Sequence, residues 1–147
     1  MLTSTLVSLL NALVGLLLEP VIAGLLLMTA LAVFDAGLAA GERLHGLGRL
    51  HATGNAARAA MLGRSRIERA DIIARVGPML GLMGTLIPLG PGLAALGDGD
   101  LDTLGKAVLV AFDTTVLGLL VGIVGFVVGR LRRRWYDRLL SALETAP

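Results

Sequence analysis

Cysteine is absent, aromatic residues make up 3 % of the 147 positions, and charged residues only 16 %. The first absence excludes disulfides, thiolate catalysis and cysteine-based metal sites. The shortage of charge matters more, because a soluble domain carries about 25 % charged residues. The charges that exist are also nearly absent from three long runs, which together take up most of the chain. What remains is too short and too polar to build a soluble core. Soluble enzyme, DNA-binding domain and secreted module are therefore poor readings. In place of the missing residues stand Leu, Val, Ala and 20 Gly, with a hydrophobic content of 55 % and a mean hydropathy of +0.81. These values predict an all-α integral membrane protein forming a single membrane domain over 1–147.

A transmembrane helix needs about 20 apolar residues. The first run, Leu2 to Phe34, is too long for one span and too short for two. Pro20 suits the first turn of a helix, where its missing N–H is harmless, so the first span is placed at 20–40. Glu19 beside it suits the positive end of that helix. Residues 2–18, with Thr3, Ser4, Ser8 and Asn11 as polar positions, then form a preceding helix at the outer interface. This run lacks a basic flank, so a cleaved signal peptide is not expected. The second span is placed at 76–96 and the third at 104–128. An acidic turn, Gly97 to Asp102, separates them. Residues 41–75 read as an arginine-rich arm, helical from Ala56, and 129–147 as a tail in which Trp135 and Tyr136 form an interfacial anchor.

Twelve of the thirteen Lys and Arg residues fall in the arm or after Gly129, and only Lys106 lies elsewhere. By the positive-inside rule, arm and tail are cytoplasmic, which puts the N-terminus outside and the C-terminus inside. The same distribution explains the pI near 9.9 without a nucleic-acid partner. Arg132, Arg133 and Arg134 are assigned to topology and lipid headgroups.

Small residues recur along spans two and three. Gly77, Gly81, Gly84, Pro88 and Gly92 share a face in the second, and Gly118, Gly122, Gly125 and Gly129 make two G-x-x-x-G pairs in the third. Such seams let backbones approach where lipid supplies no hydrophobic drive. Gly81, Gly84, Gly118 and Gly122 are the packing candidates. Against that background three polar features stand out inside the apolar runs: Asp113, followed by Thr114 and Thr115, then Thr85, and Glu19. A carboxylate costs about 2.5–3.5 kcal/mol at mid-membrane on insertion scales, so it faces a cavity or a partner. The bland alternative pairs Asp113 with Lys106. Thr85, in the second span, is expected on spacing alone to bond the carbonyl of Gly81.

Other signals are weaker. Asp98, Asp100 and Asp102 have the opening spacing of a calcium loop, but Thr103 stands where that loop needs Gly and Leu109 where it needs Glu. Helix capping by Asp100 or Asp102 accounts for them better. His45 and His51 have no ligand-type neighbours. No nucleophile–base pair or phosphate loop appears, so neither an enzyme nor a cofactor is expected.

Two segments resemble the MotA/TolQ/ExbB proton-channel family. Gly77-Pro78-Met79-Leu80-Gly81-Leu82-Met83-Gly84-Thr85-Leu86 is similar to its A-P-x-x-G-L-x-G-T-v segment. Ala111-Phe112-Asp113-Thr114-Thr115-Val116-Leu117-Gly118-Leu119 is similar to the A-L-x-x-T-x-x-G-L segment of its last span. The likeness covers about Arg75 to Tyr136, in the right order. It implies a homo-pentamer in the cytoplasmic (inner) membrane, whose second and third spans line a lumen. That lumen would hold the helices of a single-span partner similar to ExbD, TolR or MotB, and protons would be the transported ion driving a molecular motor. Thr85 and Thr115 match the family's pore-lining threonines, with Asp113 and Thr114 completing the proposed proton pathway. Val110 stands where some ExbB-like proteins carry an acidic residue. Asp113 is the substitute this chain offers, about 60° round the helix. Pro88 and Pro91 are expected to break the outer half of the second span, and the short arm points away from a flagellar stator toward a TolQ/ExbB-like form. A structural scaffold and a partner-independent small channel are the rival readings.

Overall fold

The structure is a computed structural model that describes residues 2–41 and 56–144, with side chains described over 3–41, 63–138 and at Ser141. Arg43, His45, Arg49 and His51 of the arm lie outside the described residues. Among the described residues four helices follow one another: α1 (Leu2–Leu16), α2 (Leu18–Gly41), α3 (Ala56–Gly97) and α4 (Leu101–Glu144). Among the described residues only Leu17 and the Asp98-Gly99-Asp100 turn are not helical. Within the described residues three stretches are long and apolar enough to cross a membrane: Thr3–Gly41, Gly63–Gly97 and Leu101–Arg138. This is a multi-pass membrane protein.

Local chemistry explains each boundary. Leu17 alone separates α1 from α2, with Glu19 and Pro20 in the first turn of α2. At the end of α3 the amides of Asp100 and Gly99 donate to the carbonyls of Ala95 and Leu96, at 2.9 and 3.1 Å. This closure needs a left-handed residue, and Gly99 provides it with φ of 79°. Asp100 then caps α4. Its carboxylate accepts from the Thr103 amide at 3.1 Å and also from the Thr103 hydroxyl. These bonds hold the Asp100 carboxyl below the ordinary aspartate range, the hydroxyl contributing most. Asp102 does not cap; it pairs with Lys106 at 2.6 Å.

Pro88 and Pro91 do not break the second span, since α3 runs on through Pro78, Pro88 and Pro91 to Gly97. Spans accept such prolines because packing and local adjustment re-satisfy the freed carbonyls. The helical part of the arm is likewise continuous with this span, and the tail with α4.

The chain divides into two compact units. The first comprises Met1–Thr29 and Gly77–Leu120, the second Ala30–Val76 and Val121–Pro147. In the first, α1 and the start of α2 border α3 and α4 round a cavity of about 560 Å³, whose wall carries Asn11, Thr103 and Lys106 among apolar residues. In the second, Ala39, Ala70 and Val128 form a buried cluster, with Ala36, Val124 and Trp135 packed against it.

Candidate proton-pathway site

Within the first unit, α3 and α4 lie backbone to backbone. A Cβ placed on Gly118 would stand 2.7 Å from the Gly81 Cα and 2.9 Å from the Gly77 carbonyl oxygen. A Cβ on Gly81 would stand 3.0 Å from both the Gly118 Cα and the Thr114 carbonyl oxygen. Gly84 leaves room for the Thr114 side chain, and Gly92 for the Ala107 methyl. The pairs 81/118, 84/114 and 92/107 set an antiparallel register. Gly122 is buried.

That register decides where the threonines point. Thr114 is buried against Gly84 and returns its hydroxyl to the carbonyls of Val110 and Ala111, at 2.9 and 3.1 Å. It fills the seam and does not line an open face. Thr85 and Thr115 each follow a seam residue by one position. In antiparallel right-handed helices, one step of about 100° carries both to the same flank of the pair. Leu80, which meets Gly24 of α2, lies about 140° round α3 from Thr85. The two threonines therefore share a flank turned away from α2, and both are half-buried.

Their hydroxyls are held by local bonds. Thr115 donates to Ala111 at 2.8 Å, and Thr85 donates to Leu82 at 2.6 Å. The Leu82 partner replaces the expected Gly81, because a helical threonine chooses between the carbonyls three and four residues back. Each oxygen keeps lone pairs for an ion or a water.

Asp113 is not brought to the threonines. It is exposed and lies about 160° round α4 from Thr115. It also does not pair with Lys106, which is held by Asp102. Seven residues separate Lys106 from Asp113, about 10 Å of helix axis, whereas four bring Asp102 and Lys106 side by side. Exposed Leu109, Phe112 and Val116 accompany Asp113, so the carboxylate stands on the apolar outward surface of the single chain.

The second unit holds a pair that sequence reasoning missed. Asp35 of α2 is 4 % exposed and Arg132 of α4 is 0 % exposed, and they form an ion pair of 2.6 Å. Arg132 also donates to the backbone oxygens of Arg66 and Asp35, at 3.1 and 3.3 Å. One guanidinium thus ties α2, α3 and α4 together. Arg132 is not a headgroup contact, because its side chain is enclosed by protein. Arg133 bonds Asp71 of α3. Tyr136 is buried over Gly63, where any Cβ would come within 2.6 Å of its ring, and Trp135 is half-buried in the alanine cluster. Their position suggested an interfacial anchor; Tyr136 is enclosed by protein, and Trp135 keeps only part of its ring exposed. An Asp five places from the end of an apolar span was the available signal, once paired with the first arginine run beyond the third span.

Comparison with known proteins now decides the family. Residues 46–145 match the model of the MotA/TolQ/ExbB proton channel family. The chain belongs to that family. No curated protein and no solved structure matches it. The matched stretch takes in the glycine seam, Thr85, Asp113, Thr115 and Arg132, and leaves out α1 and α2. A proton-channel role follows for the membrane-spanning helices, in a family that acts through complexes with partner membrane proteins.

Proposed function

We propose that the chain is the proton-conducting subunit of an ion-driven motor of TolQ/ExbB type. Five copies would ring the transmembrane helices of a single-span partner similar to ExbD or TolR, in the cytoplasmic membrane with N-terminus outside. In this reading α1 lies at the outer interface, and the chain is not an enzyme and uses no cofactor. The observation that carries it is the placing of Thr85 and Thr115 on one flank of the sealed α3–α4 pair, away from α2. In a ring, that flank faces the lumen.

The chemistry is modest for each chain. A proton crossing 100 mV releases about 2.3 kcal/mol, and the threonine oxygens offer it a polar step between two sealed apolar helices. The cycling carboxylate belongs to the partner, since among the described residues no acid accompanies Thr85 and Thr115 in the first unit's seam. Asp113, on the outward surface, would meet a neighbouring copy and not the lumen.

The test is proton flux into vesicles holding the chain with its single-span partner, read by a pH-sensitive dye under an imposed potential. Replacing both hydroxyls, as T85V/T115V, removes two interactions of about 1 kcal/mol each, so flux should fall about 30-fold. The assembly itself should read as five copies by native mass spectrometry. Undiminished flux in T85V/T115V would refute the pathway. Flux from the chain alone would favour a partner-independent channel, and no flux from either preparation would favour a scaffold.

A further inference from the structure

A cavity of about 550 Å³ opens in the second unit between α3 and α4, and its lining includes Arg75, Arg130, Arg133, Arg134, Asp71 and Phe126. Asp71 is engaged by Arg133, so one carboxylate and one guanidinium answer each other. Among the described residues no carboxylate pairs with Arg75, Arg130 or Arg134. Three permanent positive charges therefore converge on one opening. The Arg130 guanidinium lies 5.9 Å from the centre of the Phe126 ring, a cation–π contact that holds it at the rim. Phe126 is 59 % exposed, and Ile123, one turn earlier on the same face of α4, is 63 % exposed.

The position along the chain is as telling as the charge. Arg75 is the last charged residue before the apolar length of α3, and Arg130 the first after that of α4. The cavity so stands where the helices pass from hydrocarbon to headgroups. A ligand that fits must carry an anion at one end and an apolar chain at the other. Guanidinium forks match phosphate oxygens in pairs of parallel hydrogen bonds, and the Phe126–Ile123 face offers a track for an acyl chain.

We propose that this cavity is a binding site for one anionic phospholipid, its phosphate among Arg75, Arg130 and Arg134 and a chain along Phe126. The site is separate from the proton pathway and holds whether or not the chain conducts protons. It differs from the general attraction of basic segments to anionic membranes in requiring three particular arginines and one lipid.

Native mass spectrometry of the delipidated full chain in mild detergent tests it, with phosphatidylglycerol, phosphatidylcholine of the same chains and inorganic phosphate as probes. The expected result is a one-to-one phosphatidylglycerol adduct, a weaker phosphatidylcholine adduct and no displacement by millimolar phosphate. The variant R75Q/R130Q/R134Q should bind phosphatidylglycerol about 100-fold more weakly. R64Q/R69Q/R138Q, which removes as much charge outside the cavity, should bind it unchanged. Where circular dichroism shows the first triple variant losing helix, R75Q replaces it and should lose about fivefold. Equal adducts for the two lipids, equal losses in the two triple variants, or no loss in R75Q would overturn the proposal. Competition by inorganic phosphate would overturn it too, by marking a free-anion site.

Discussion

Glycines bring α3 and α4 together in both units of this chain, but among the described residues only the second adds a buried ion pair. In Met1–Thr29 with Gly77–Leu120, α3 and α4 touch through glycines, and cohesion comes from close backbone contact without charge. In Ala30–Val76 with Val121–Pro147, one buried guanidinium reaches a carboxylate on α2 and a carbonyl on α3. The glycine seam fails when volume is added, whereas the ionic clamp fails when one charge is removed. The first unit's seam suits the proposed proton path. A proton path needs flanking helices sealed against leakage and free of competing charges, and a rotor or ring element needs helices fixed to one another outside that path.

The sharpest way to break the comparison is to remove one half of the clamp. R132A or D35A leaves a buried charge without its partner and should cost about 3–5 kcal/mol. Trp135 is the single tryptophan and packs on the alanine cluster of the same unit, so its fluorescence reports this unfolding directly. The double variant D35L/R132L, apolar on both sides, should recover most of the loss, because the removal of a whole buried pair is often near neutral. Full recovery would show that the pair sets geometry more than stability. No loss in R132A would mean that the alanine cluster and its neighbours hold the second unit without the clamp.

Next in size is the seam. In G118V the new Cβ would meet the Gly81 Cα and the Gly77 carbonyl, neither of which can rotate away. The overpacking should cost about 1–3 kcal/mol, read as a lower melting temperature by circular dichroism. It should also lower proton flux in vesicles, since the register that turns Thr85 and Thr115 to one flank depends on this contact. The same variant should move Trp135 emission less than R132A does. A larger shift in Trp135 than in helicity would erase the distinction between the units.

Much of this was legible in the residues, and what was not has a common cause. The glycine seam and the Asp100 cap are encoded over one to four positions, which is the range that helix geometry sets, and the apolar helices over runs of about 20 residues. Thr85 and Thr115 could be picked out by their segments, but their shared flank needed the 84/114 register. The Asp35–Arg132 pair joins residues 97 apart, and no local pattern says which carboxylate an arginine will meet. Asp113 is a charge well inside an apolar run and so stands out in the sequence, while Asp35 comes just after the run that ends at Phe34, where a charge is unremarkable. The prolines misled in the other direction. Rules drawn from water-soluble helices make Pro88 a breaker, but in a lipid-facing helix the loss of helical bonding is worse than a distortion.

Smaller effects probe the turn between α3 and α4. D100A removes the acceptor of the Thr103 amide and hydroxyl and should fray the start of α4, visible as faster amide hydrogen exchange at Leu101 to Leu104. Its pH dependence has a fixed sign. The folded-state pKa is depressed, so the capping contribution is fully present above the unfolded value, near 4, and is lost as pH falls below that through the folded pKa. Exchange at α4's first turn in the unmodified chain should therefore rise below about pH 4, and in D100A it should not.

The smallest effect expected is that of K106A. Lys106 and Asp102 are 74 % and 77 % exposed, and an exposed pair four residues apart is worth only about 0.3–0.5 kcal/mol. The melting temperature should hardly move, and what shift there is should vanish in high salt. Yet Lys106 is the basic residue that stands apart from the other twelve, and it lines the cavity bordered by α1 and α3. A large, salt-resistant loss in K106A would mean that its ammonium is bound inside that cavity, with Asn11 within the same wall as a candidate acceptor. The first unit would then depend on a charge as the second does, and the contrast between a glycine-sealed unit and an ion-clamped one would have to be abandoned.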